Sequence, residues 1–123
     1  MSIFTFKVII AGGRDFADYD LLKSTMNNLL KNIKDRIIIV SGAARGADQL
    51  GEKYANEMGY SIKRYPARWD LYGNAAGPIR NEEMAKYADA LVAFWDGHSR
   101  GTKSMIELGE RYGLKIRVKI YTK

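Results

Sequence analysis

The feature that most restricts the fold of this chain is a strict alternation of short apolar runs with segments of helical period. Phe6 to Ala11, Arg36 to Ser41, Ser61 to Tyr65, Asp89 to Trp95 and Lys115 to Tyr121 read as strands. Between them, Leu21, Leu22, Thr25, Met26, Leu29, Leu30 and Ile33 repeat at helical spacing, as do Ala47, Leu50, Gly51, Tyr54, Ala55 and Met58. A third helix opens at "GPIRN", where Pro78 suits a first helical turn, and a fourth runs from about Gly101 to Tyr112. Alternation of this kind implies parallel strands joined by right-handed crossovers, with helices on both faces of the sheet. "KVIIA", "RIIIV" and "ALVAFW" are apolar on successive residues, as strands covered on both faces should be, and are therefore central. "KIRVKIY" alternates Lys115, Arg117 and Lys119 with Ile116, Val118 and Ile120, and "SIKRY" is similarly mixed, which suits edges guarded by charge. The expected architecture is a Rossmann-like α/β domain of three layers, with a parallel five-stranded sheet in the order 3-2-1-4-5.

At 123 residues the chain has material for one core, so residues 1–123 are expected to form a single domain. No apolar run approaches the roughly 20 residues of a membrane helix. The opening "MSIFTFKVII" lacks a basic leader and a cleavage site and reads as the first strand, which makes a cytoplasmic location the expectation. The absence of cysteine removes disulfides and thiolate metal sites, and the single His98 cannot build a histidine cluster. A metal-independent protein is expected. The net charge of +6 favours anionic partners.

In this topology ligands bind beyond the carboxyl ends of the strands, where the strand order reverses. "AGGRDF" follows the first strand, "SGAARGAD" the second and "WDGHSRGT" the fourth. One glycine-rich turn is ordinary turn chemistry, whereas three arginine-bearing ones at a single edge point to an anionic ligand. Gly46 and Gly101, each just before a helix, can present amides and the positive end of the helix dipole to a phosphate. Ser41, Ser99 and Thr102 add hydroxyl donors, and Arg14, Arg45, Arg80 and Arg100 add forked, permanently charged ones. Asp15 and Asp48 are acceptors for a ribose hydroxyl or for a neighbouring arginine. "PARWDLYGNAAG" is long for a connection, and Trp69 and Tyr72 within it suit a lid that stacks on a base. Neither GxGxxG nor a GxxxxGKS/T loop is present, so no dinucleotide cofactor or Walker-type site is expected.

Taken together, "GGRDF", "SGAARGAD", "AGPIRNEEM" and "SRGTKSM" resemble, in order and spacing, the YspA-like branch of the SLOG superfamily. Its relatives include the YpsA proteins, the cytokinin-activating "lonely guy" phosphoribohydrolases and the Rossmann domain of DNA-processing protein A. The resemblance spans about residues 8 to 112 and implies a Rossmann-type nucleotide binder. It places Gly12, Gly13, Arg14, Asp15, Ser41, Gly42, Arg45, Gly46, Asp48, Arg80, Asn81, Gly101 and Thr102 in the ligand crevice. It also implies homo-oligomers, with the helix from Pro78 to Tyr87 as the pairing element. The chain departs from the phosphoribohydrolases at one point. Their PGGxGTxxE loop ends in a glutamate that acts on the ribose, and Met105 stands there in this chain. Glu107 lies about 200° around the helix from Met105 and points away.

These readings rank binding of a phosphorylated nucleotide or nucleotide-derived signal first, for sensing or sequestration. A hydrolase of an N-glycosidic or phosphate bond is the alternative enzyme, with Asp15, Asp48 and Asp96 as its available carboxylates. Single-stranded nucleic acid binding, through basic loops with Trp69 or Tyr72, is the third. Arginines set in concave loops, not along a helix face, favour the small ligand.

Overall fold

A computed structural model describes residues 4–122 of the protein. Five parallel strands, β1 (Thr5–Gly12), β2 (Arg36–Ser41), β3 (Ser61–Arg64), β4 (Ala90–Trp95) and β5 (Lys115–Ile120), form one sheet in the order β3-β2-β1-β4-β5. Val8 of β1 lies between Ile39 of β2 and Ala90 of β4. The chain runs outward from β1 to β3 and then crosses back to β4, so the reversal of direction falls between β1 and β4. The mixed strands β3 and β5 are the edges, as their charge alternation predicts.

Four helices of 12 residues cover the sheet: α1 (Tyr19–Leu30), α2 (Ala47–Met58), α4 (Ala76–Tyr87) and α5 (Arg100–Arg111). A short α3 (Trp69–Tyr72) precedes α4. The period of two along each strand divides the core. Val8, Ile10, Ile37, Ile39, Val92 and Phe94 point toward Leu22, Met26 and Leu30 of α1 and Ala47, Tyr54 and Ala55 of α2. Ile9, Ala11, Val40, Leu91 and Ala93 point toward Met84, Ala85 and Ala88, at the end of α4, and Met105 of α5. The central strands are apolar throughout because each face has its own helical layer to fill.

The connection after β3 is more ordered than its composition suggests. The amides of Leu71 and Tyr72 both donate to Arg68 O at 3.0 Å, and a 3-10 turn at Gly73–Ala75 leads directly into α4. α4 therefore starts at Ala76, two residues before Pro78. A proline in the first turn is tolerated because the amide it lacks has no acceptor within the helix. Among the described residues no helix is long and apolar enough to cross a membrane.

Candidate functional site

The loops after β1, β2 and β4 meet at the carboxyl edge, and the first two are locked together through their backbones. Gly13 donates its amide to Phe94 O at 3.1 Å and accepts from the amides of Phe16 and Ala47, each at 3.2 Å. A Cβ on Gly46 would collide with Gly13 O, and the positive φ of 76° at Gly46 is itself a conformation that favours glycine. A Cβ on Gly13 would collide with Tyr121 Oη, which donates to Asp15 Oδ1 at 2.6 Å. Phe16 stacks on Phe94 with centroids 4.8 Å apart and meets the edge of Tyr121 at 4.9 Å. These two glycines thus serve close approach between parts of the fold.

The second loop is shaped by side chains at its two ends. Ser41 is buried; its Oγ donates to Glu52 Oε2 at 2.7 Å and accepts from the Ala43 amide at 3.0 Å. Asp48 Oδ2 accepts from the Ala44 amide at 3.1 Å. These bonds hold Ala43 at a φ of 60°, which costs an L-residue about 1–2 kcal/mol. The amides of Ala43 and Ala44 are thus consumed inside the loop. Burial pushes the Asp48 carboxyl up to about 6; the Ala44 amide and the guanidiniums of Arg80 and Arg14 act against that rise, and Glu52 adds to it.

Arg80 reaches across from α4 to this loop. Its Nη1 donates to Gly42 O and, at 3.5 Å, to Tyr65 O, while Nε donates to Oδ1 of the buried Asn81 at 2.9 Å. Nη2 keeps no protein acceptor among the described residues, and Arg80 lines the crevice. On the far side, Asp96 Oδ1 accepts from the amides of His98 and Ser99, each at 2.8 Å. Ser99 then caps α5 through its Oγ, and Gly101 and Thr102 form the first helical turn at the crevice wall. Arg14 and Arg45 make no hydrogen bond or ion pair with any other described residue.

The resulting crevice of about 470 Å³ is lined by Gly12, Gly13, Arg14, Asp15, Asp48, Arg80, Asn81, Gly101 and Thr102 of the residues expected from sequence. Gly42, Arg45 and Trp69 line an adjoining cleft of about 280 Å³, which shares Arg14, Ala44 and Arg80 with the crevice. Gly46 lies on a third surface beside Arg14, Arg45 and Gln49. Ser41 lines none of these and acts beneath the loop. Met105, 1% exposed, lines the crevice together with Met84, which makes that part of the wall apolar. Tyr121 and Glu52 were not singled out by sequence. Glu52 stands one helical turn after Asp48, a spacing that places both carboxylates on one side of α2; Tyr121 has no local signal. Among the described residues no cluster of histidine and carboxylate side chains could hold a metal ion.

Comparison with known proteins adds three findings. A model of the YspA, cpYpsA-related SLOG family matches residues 6–72, from β1 through α3 and so through the first two loops. The Gene 61 protein of Mycobacterium phage D29 is 28% identical over 116 residues, covering 89% of this chain and 93% of that protein. The X-ray structure of DNA processing protein A from Streptococcus pneumoniae aligns with 94% of this chain at a TM-score of 0.69 and 16% identity. The chain spans 50% of that structure, and the likeness is one of fold.

Proposed function

The chain belongs to the YspA, cpYpsA-related SLOG family, and from that premise we propose that it binds a phosphorylated nucleotide or nucleotide-derived small molecule in the crevice at the carboxyl ends of β1, β2 and β4. The observation that carries this reading is the composition of the crevice. Guanidiniums of Arg14 and Arg80 and the amino terminus of α5 surround one cavity together with the acceptors Asp15, Asp48 and Asp96. A phosphate is matched by the helix amino terminus at Gly101 and by the unused Nη2 of Arg80. Ribose hydroxyls and base amino groups are donors, and the carboxylates are their complement. A volume of about 470 Å³ falls within the range of about 300–1,000 Å³ typical of small-ligand sites.

Binding without turnover follows from Met105. A departing base leaves positive charge on the ribose, and a thioether supplies neither a countercharge nor a proton. One observation favours a hydrolase as the second reading. Asp48 sits in the crevice with its pKa raised to about 6, near the value a general acid or base needs at neutral pH. Assaying adenosine monophosphate for release of free adenine separates the two. The binding reading itself is tested by denaturing the purified protein and identifying any co-purified small molecule by mass spectrometry, followed by calorimetry with that compound. Failure of all common nucleotides to bind at millimolar concentration would refute it.

A further inference from the structure

The two adjoining cavities differ in the charges that line them. The main crevice sets Arg14 and Arg80 against the carboxylates of Asp15, Asp48 and Asp96. The cleft beside it brings together Arg14, Arg45 and Arg80, with Trp69 on its far wall, and no acidic side chain. Arg14 and Arg80 repel each other across the cleft, the Asp48 carboxylate offsets this from the side of the main crevice, and Arg45 adds a third positive charge on the side where no carboxylate stands. Arg14 and Arg45 make no side-chain hydrogen bond or ion pair with a described residue, and Arg80 has one nitrogen unused. The loop closes through Ser41 and Asp48, so its shape makes no use of the Arg45 side chain. The main crevice already has the capacity of a small-ligand site, which leaves the cleft for a further group of the same ligand.

We propose that the ligand carries two separated anionic groups, one phosphate at the amino terminus of α5 and Arg80, and a second phosphoryl group in the Arg14, Arg45 and Arg80 cleft beside Trp69. This deepens the nucleotide reading and rests on it. The ligand class it names is a free nucleotide bearing two phosphoryl groups on one ribose. Arg14 and Arg80 stand on the wall between the cavities and contact both groups, while Arg45 meets the second alone.

The test is titration calorimetry of the full chain with the 5′-monophosphates and the 3′,5′-bisphosphates of adenosine, guanosine, cytidine and uridine. The bisphosphate of the preferred base should bind about tenfold or more tightly than its monophosphate, the effect of a charge-assisted hydrogen-bond pair. Arg45→Ala should abolish that gain and leave the monophosphate within about twofold of its original affinity. Because Arg45 is exposed and unpartnered, the variant should fold, which circular dichroism checks. Monophosphates that bind as tightly as bisphosphates, or a gain that survives Arg45→Ala, would overturn the second subsite and leave the nucleotide reading standing. If none of the eight compounds binds, both fall. Oligonucleotides of increasing length form the last arm: affinity that levels off after the first nucleotide unit supports the compact ligand, and affinity that climbs with each added nucleotide overturns it in favour of a strand.

Discussion

Replacing Asp48 by Asn tests the electrostatic description of the crevice directly. Asp48 is 7% exposed, and burial raises its pKa from an ordinary 3.8 to about 6. The folded protein therefore holds the proton more tightly than the unfolded chain does. For a carboxyl raised in this way, the penalty on folding is absent below the unfolded value and complete above the folded one, so stability falls as pH rises between them. At about 1.36 kcal/mol for each tenfold change in proton affinity, a rise from 3.8 to about 6 corresponds to about 3 kcal/mol. An Asn side chain keeps an oxygen for the Ala44 amide and carries no charge at any pH. Urea unfolding of both proteins at about pH 4 and about pH 7.5 should show the stability difference moving in favour of the variant by about 2 kcal/mol, the part of that penalty that develops between these two values, other titrations cancelling in the comparison. A difference independent of pH would refute the claim that Asp48 ionises under a burial penalty. A difference moving toward the original protein would mean that Arg80 and Arg14 outweigh the burial.

Three further outcomes are expected. Gly13→Ala should destabilise the original protein by about 1–3 kcal/mol through overpacking against Tyr121 Oη, and distinctly less in a Tyr121→Phe background, as a thermal-unfolding double-mutant cycle would show. The protein should release no adenine from adenosine monophosphate above background; turnover near about one per second, within the ordinary enzyme range, would move the function to the hydrolase reading. Self-association through α4 should give a light-scattering mass above the 13.9 kDa of one chain, and a strictly monomeric mass at high concentration would refute it.

Strand order was legible because burial on both faces leaves a direct mark: "RIIIV" and "ALVAFW" have no polar face, whereas Lys115, Arg117 and Lys119 do. The three loops were legible because glycine and arginine recur at one edge. What each glycine does was not. Gly46 read as a ligand-facing amide and Gly13 as a crevice residue, but their lack of a side chain answers to the first loop and to Tyr121, and Tyr121 lies 106 residues from the Asp15 it holds. Such constraints come from tertiary approach and leave no periodic trace. The segment after β3 read as a loop because Trp69 to Ala75 has neither helical period nor length enough to show one, and its turns are held by Arg68 O and by continuity with α4.

The locking of the first two loops divides the crevice into parts that differ in how freely they can change. Residues 12, 13 and 46 are tied to Phe94 O, Tyr121 and each other, so a substitution there is penalised by the fold before any ligand is involved. The Trp69–Tyr72 segment bears no such tie at its side chains: Trp69, Leu71 and Tyr72 are all exposed, and none of the three is counted in the core. Trp69 lines the cleft beside the crevice, so drift in sequence can alter that wall while the tied glycines stay in place. Position 69 is therefore where the lining can change at least cost to the fold, and a library randomised there is the economical place to select for altered binding.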